Sequence, residues 1–205
     1  MKTQFGIASI TVLALGALLA MPVVAAEEDP MALITSAVDD IKVGLAANRA
    51  TYEQEQEKLY EFVDELLAPR FDRNYAGRLV LGVHWRTASN EQKKRFIDGF
   101  YNAMLSRYAA GVLEFREELV EIMPLRGAPK GNRTQIKTVV TLDNDETVPV
   151  NYGLIKRCDA GWKVYDVTIE GISYIKNFRA EIDSEVKKTS LDAVIARLEK
   201  EASGE

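Results

Sequence analysis

Val150-Asn151-Tyr152, followed after a short turn by Gly161-Trp162-Lys163-Val164-Tyr165-Asp166-Val167-Thr168-Ile169-Glu170-Gly171-Ile172-Ser173, reads as two β-strands running straight into a helix. Cys158-Asp159-Ala160-Gly161 supplies the turn, and Ser173 the helix cap. Trp162 to Ile169 is apolar on both faces apart from Lys163 and Asp166, which predicts a central strand. The hairpin is more apolar than strand pairing alone requires and carries almost no side chains suited to catalysis. Such a composition points to a sheet that encloses something apolar.

Working outward, Val148, Val150, Tyr152 and Leu154 alternate, as do Ile136, Thr138, Val140 and Leu142 upstream. Asp143-Asn144-Asp145 is the turn between these two strands, and Arg126 to Asn132, punctuated by Gly127, Pro129 and Gly131, is a loop. Leu119 to Leu125 is expected to open the sheet. Downstream, Ile175, Phe178, Ile182 and Val186 mark a helix from Ser173 to about Lys188, and Ser190 caps a last helix through Leu191, Val194, Ile195 and Leu198. Four helices are expected before the sheet. Pro30 suits a first turn, and Leu33, Ala37, Ile41 and Leu45 form a stripe within Ala32 to Asn48. Tyr52 to Leu67 buries Leu59, Phe62, Val63, Leu66 and Leu67, and Phe71 to Trp85 buries Tyr75, Leu79 and Val83. Ser89-Asn90-Glu91-Gln92 is a capping box that starts a long helix with Phe96, Phe100, Met104 and Tyr108 in one row and Ile97, Tyr101 and Leu105 beside it. Helices, then antiparallel strands, then helices make an α+β architecture with helices on one concave face of a twisted sheet.

The N-terminus adds a compartment. Lys2 precedes an uncharged run from Phe5 to Leu19, and Val24-Ala25-Ala26 places small residues ahead of Glu27. This is the three-part pattern of a secretory signal peptide spanning residues 1–26, which leaves residues 27–205 as one domain. No Cys follows the run, so there is no lipoprotein attachment site, and the released protein is expected to be soluble. The formal net charge of −5 is a poor match to nucleic acid or to an anionic membrane surface. Cys158 is the only cysteine and excludes an internal disulfide; His84 is the only histidine, which argues against a zinc site or a triad. In its apolar setting, Leu81-Gly82-Val83-His84-Trp85, His84 is expected to be structural.

Several of these segments, taken in order, resemble one family. Leu67-Ala68-Pro69-Arg70-Phe71-Asp72, Arg78-Leu79-Val80-Leu81-Gly82, Trp85-Arg86-Thr87-Ala88 and Glu91-Gln92 to Phe96 look like the N-terminal half of the MlaC, or toluene-tolerance Ttg2, family. Pro149 to Tyr152, Trp162 to Val167, Glu170 to Tyr174, Asn177-Phe178-Arg179 and Leu191 to Leu198 look like its C-terminal half. The resemblance implies an NTF2-like sheet-and-helix fold with extra N-terminal helices. It implies a Gram-negative periplasmic phospholipid carrier, which is not an enzyme. Such a carrier shuttles lipid between an outer-membrane lipoprotein-porin complex and an inner-membrane ATP-driven transporter, and so maintains outer-membrane lipid asymmetry. Bound phospholipid is then the ligand, with no cofactor. Carried over to matching positions, the lipid-binding residues are Leu105, Tyr108 and Val112 on the helix side; Val140, Val150, Tyr152, Val164, Val167 and Ile169 on the sheet; and Ile172 and Tyr174 at the opening.

Two other classes compete with the carrier. An isomerase or dehydratase of this fold type would pair Asp166 with Tyr152 or Tyr165 in an apolar cone; against it, Asp166 reads as a strand-end acid bonded to backbone or to Arg179. A scaffold without ligand would use the basic patches Lys93-Lys94-Arg95 and Arg126/Lys130/Arg133, which otherwise read as solvated surface or as contacts to acidic partners or lipid phosphates. N-terminal sequencing of the exported protein is expected to read from Glu27; a chain still beginning at Met1 would overturn the signal-peptide reading.

Overall fold

Five strands form one antiparallel sheet in simple sequence order: β1 (Val120–Ile122), β2 (Arg133–Thr141), β3 (Thr147–Arg157), β4 (Gly161–Ile169) and β5 (Ile172–Ser173). The computed structural model describes residues 29–116, 119–141 and 144–203. The expected signal peptide, Leu142 and Asp143 lie outside the described residues. Six α-helices accompany the sheet: α1 (Pro30–Gln54), α2 (Gln56–Leu67), α3 (Arg73–Leu81), α4 (Asn90–Tyr108), α5 (Tyr174–Lys188) and α6 (Leu191–Ala202). The α+β class read from the sequence is the class observed.

β4 departs from the expected pattern in an instructive way. Gly153 pairs with Asp166 but Leu154 pairs with Val164, so Tyr165 is an extra residue in the ladder. A bulge of this kind shifts the side-chain alternation by one position. Trp162 and Val164 before it, and Val167 after it, therefore all pack on one face with Ile136, Tyr152 and Leu154. The strand seemed apolar on both faces because its period changes midway. The ring of Tyr165 lies over Gly153, where a Cβ would meet it at 3.3 Å. β4 is an interior strand, although β3 holds the middle of the sheet. Its far edge is covered by β5 at Thr168 and Ile169 and by a parallel bridge from Phe71 to Val164. In that bridge Asp72 N donates to Val164 O and Val164 N to Arg70 O, both at 2.8 Å.

Two helix boundaries also differ from expectation. Tyr52 to Leu67 is not one helix, because Glu55 adopts φ −121°, ψ 88° and separates α1 from α2. Of the predicted buried residues of that segment, Leu59, Val63 and Leu66 are buried, whereas Leu67 is exposed. The helix expected from Phe71 to Trp85 stops at Leu81, where Gly82 takes φ +56° and a 3₁₀ turn from Gly82 to Arg86 follows. Its buried side is Ala76, Gly77, Val80 and Leu81 rather than Val83, which faces outward. The capping box is present: Gln92 N donates to Ser89 Oγ (3.1 Å) and Ser89 N to Gln92 Oε1 (3.0 Å). Ser173 and Ser190 cap α5 and α6 as read.

The hydrophobic interior of the described residues is divided into three clusters. Phe96, Phe100, Phe178, Ile182, Val194 and Ile195 belong to one, formed between α3, α4, α5 and α6. Ile34 of α1 packs with Ile136, Leu154, Trp162 and Val164 in a second. Leu59, Val63 and Ala109 centre a third. In the α1–α2 hairpin, Gly44 is pressed against the Phe62 ring, which stacks on Tyr52 at 4.8 Å. Gly44→Val is expected to destabilise the fold by about 1–3 kcal/mol through this overpacking, measured as a lowered urea midpoint at unchanged slope; an unaltered midpoint would show that the hairpin absorbs the methyl groups.

Candidate functional site

A cavity of about 830 Å³ separates the three clusters. Apolar clusters in a domain usually merge into one core; here the space between sheet and helices stays open. Its sheet wall is Val140, Val150, Tyr152, Val164, Val167 and Ile169. α4 contributes Leu105 and Tyr108 together with Phe100, Tyr101 and Met104, and the 3₁₀ segment Ala109–Glu114 after it contributes Val112. α5 adds Tyr174, Ile175 and Phe178. All the residues singled out in the sequence therefore line this cavity except Ile172. Ile172 follows the tight turn in which Glu170 and Gly171 both have positive φ, and it is 62% exposed.

One whole wall was missed. Leu33, Ile34, Ala37, Val38 and Ile41 of α1, with Val63, Leu66 and Leu67 of α2, close the cavity on the helical side. The sequence shows the α1 stripe plainly, but a stripe that faces a void has the same spacing as one that faces packed side chains.

Polar contacts tie these elements to one another. Arg70 donates to the Leu66 carbonyl (2.9 Å) and pairs with Asp40 of α1. Arg49 of α1 donates to the carbonyls of Leu113 and Phe115, tying the helix to the segment after α4. At one end of the sheet, Asp72 accepts from Tyr75 N (2.8 Å) and from Arg157 Nε (2.5 Å), joining the start of α3 to the end of β3.

Two phenols of the cavity wall, Tyr152 and Tyr101, are pushed up by burial. Burial pushes the Tyr152 phenol up, and the Thr138 hydroxyl beside it only partly offsets this. Thr138 Oγ1 itself donates to Val150 O at 2.8 Å. Tyr101 is raised as well, first by burial and then by its hydrogen bond to Asp64 Oδ1 (2.7 Å). An aromatic series leads outward: Phe96 on Phe100 (6.0 Å), Phe100 on Phe178 (5.4 Å), Phe178 on Tyr174 (6.0 Å) and Tyr174 on Tyr108 (5.9 Å). It runs from a fully buried ring to Tyr108, which is 45% exposed, so the cavity has an apolar body and a hydroxyl-bearing rim.

Asp166 has a structural task. Oδ2 accepts from Ser173 Oγ (2.6 Å) and Oδ1 from Ile175 N (3.1 Å), which fastens the start of α5 to β4. Arg179, expected as a possible partner, instead lies across Gly82. His84 Nε2 meets Asp183 Oδ1 at 2.8 Å and is not part of the cavity wall. The basic run on α4 is also engaged: Lys93 sits over Trp85 (5.2 Å), Lys94 pairs with Asp98 (2.9 Å), and Arg95 forks onto Glu199 (2.8 and 2.7 Å). Among the described residues no helix is long and apolar enough to cross a membrane.

An open chamber lined mostly by apolar side chains, with a few polar groups, has the form of a ligand-binding pocket. Residues 35–200 match the family model described as MlaC protein, and the chain belongs to the MlaC family. It is 26% identical over 168 residues to toluene tolerance protein ttg2D of Pseudomonas putida, covering 82% of this chain and 77% of that one. It is 24% identical over 180 residues to the intermembrane phospholipid transport system binding protein MlaC of Haemophilus influenzae, covering 87% and 84%. The same fold occurs in the phospholipid-binding protein of Ralstonia solanacearum, solved in complex with a phospholipid, with a TM-score of 0.76, 24% identity, and coverage of 86% of this chain and 98% of that one.

Leu105→Trp is expected to narrow the chamber and weaken uptake of a fluorescent apolar probe such as N-phenyl-1-naphthylamine, with the circular dichroism spectrum unchanged. Equal uptake by both proteins would mean that the probe binds elsewhere.

Proposed function

We propose that this protein is a periplasmic phospholipid carrier that exchanges lipid between an outer-membrane lipoprotein-porin complex and an inner-membrane ATP-driven transporter, and so helps keep the outer membrane asymmetric. The observation that carries this reading is the apolar cavity of about 830 Å³. It falls in the upper part of the roughly 300–1,000 Å³ spanned by ligand pockets. The names of the relatives, and the phospholipid held by the Ralstonia protein of the same fold, support the same class of ligand.

The physical need is clear. Burying a methylene is worth ~0.8 kcal/mol, so a two-tailed lipid with on the order of thirty of them is kept out of water by more than ~20 kcal/mol. A carrier has to enclose the tails. Leu105, Val112, Val140, Val150, Val164, Val167 and Ile169 would surround them, Tyr152 would pack along them, and Tyr108 and Tyr174 would stand at the rim with Ile172 on the adjacent turn. The head group would face water there. Stiff β-branched walls resist collapse, while Met104 and Leu105 adapt to a fluid chain.

Direction has to come from outside the chain. No Gly-rich loop ending in Lys-Ser/Thr occurs in the sequence, so nucleotide energy belongs to the inner-membrane partner. The signal peptide at residues 1–26 would deliver the carrier to the space between the membranes.

Native mass spectrometry of the protein purified from periplasm, followed by solvent extraction, tests the reading. A stoichiometric phospholipid mass is expected. A lipid-free mass in a protein that also takes none from vesicles would sink the proposal.

A further inference from the structure

A second, smaller cleft of about 360 Å³ lies on the outer side of α5, lined by Leu81, Gly82, Val83, Lys176, Arg179 and Lys187 among others. Several arginines are matched to acids: Arg95 with Glu199, Arg107 with Glu201, Arg157 with Asp72, and Arg197 with Glu185 and Glu201. Lys176 and Arg179 have no acidic partner among the described residues. The one carboxylate lining the cleft, Asp183, is already shared between His84 (2.8 Å) and Lys187 (2.6 Å). Val83 stands 56% exposed at this site. The Arg179 guanidinium lies against Gly82, where a Cβ would come within 2.7 Å of its Nε, so the bare Gly82 backbone lets the charge lie flat.

We propose that this cleft docks an acidic segment of a protein partner, with carboxylates on Lys176 and Arg179 and an apolar side chain against Val83 and Leu81. The partner would belong to the transport complexes, so the inference rests on the carrier reading. Charge complementarity favours it: a chain of net charge −5 repels acidic surfaces except where cations are left unmatched. The concave shape suits a protruding segment better than a flat bilayer. α5 also carries Tyr174, Ile175 and Phe178 on the cavity wall, so a partner held here grips the helix that borders the lipid chamber.

The test uses ¹⁵N-labelled full mature protein titrated with a blocked Glu-Glu-Leu-Glu-Glu peptide, with inorganic phosphate, and with phosphatidylglycerol vesicles. The expected result is peptide-induced amide shifts confined to Gly82, Val83, Lys176, Arg179 and Ala180. The affinity should fall by about fivefold for each reversed charge in K176E and R179E, fall less in K176Q and R179Q, and decline as salt is raised. Equal shifts from inorganic phosphate would reduce the cleft to a small-anion site. Vesicle binding lost in the same variants would reassign it to a membrane. Silence from all three probes would remove it, and each of these outcomes overturns the proposal. Lipid content measured on the same variants keeps the two ideas apart: a lipid-free wild-type protein defeats the carrier reading whatever the peptide does.

Discussion

One extra residue in the β4 ladder decides what this sheet can enclose. Because Tyr165 bulges out between Val164 and Asp166, strand β4 changes face halfway along its length. Val164 on one side of the bulge and Val167 and Ile169 on the other can then line the same chamber, opposite Tyr152 and Val150 of β3. A regular strand would have turned the second set away from the helices. The bulge also bends the strand and sharpens its twist, which favours a concave sheet. Asp166, the next residue, uses both carboxylate oxygens to set the start of α5. The wall and the helix that borders it are thus positioned by adjoining residues.

Polar contacts between elements join the walls of the chamber. Arg70 with Asp40, Arg49 with the Leu113 and Phe115 carbonyls, and Asp72 with Arg157 are polar joints between elements. At one end Ile34 of α1 packs directly on Ile136, Leu154, Trp162 and Val164 of the sheet, so α1 is fixed to the sheet by an apolar contact as well as by these joints. The result is an apolar space with a definite shape, whose linings include adjustable side chains such as Met104 and Leu105.

That arrangement suits a ligand that must be both enclosed and surrendered. On the proposed carrier function, near-equal affinity for the lipid in the protein and in a bilayer permits exchange at either end of a journey, whereas a tighter grip would stop it. The aromatic series from Phe96 to Tyr108 ends in an exposed hydroxyl-bearing ring, so the route out passes from apolar to amphipathic surface.

Much of this was legible from the residues alone. The hairpin, the succession of strands, the capping box at Ser89 and the caps at Ser173 and Ser190 follow from local periodicity and turn chemistry, which short-range sterics and hydrogen bonding dictate, whereas the sheet wall of the cavity was reached only through the family resemblance. The resemblance carried by segments such as Trp162 to Val167 pointed to the family to which the chain belongs. Tertiary structure decided the rest. Apolar spacing does not distinguish a packed core from an empty chamber, so the α1 wall of Leu33, Ile34, Ala37, Val38 and Ile41 could be recognised only once α1 was placed over the sheet. Likewise, the shift at Tyr165 arises from which β3 residue each β4 residue meets, and Arg179 meets Gly82 rather than Asp166 because α5 runs beside α3. These are contacts between residues distant in the chain, and sequence periodicity reports only the face a residue shares with its neighbours.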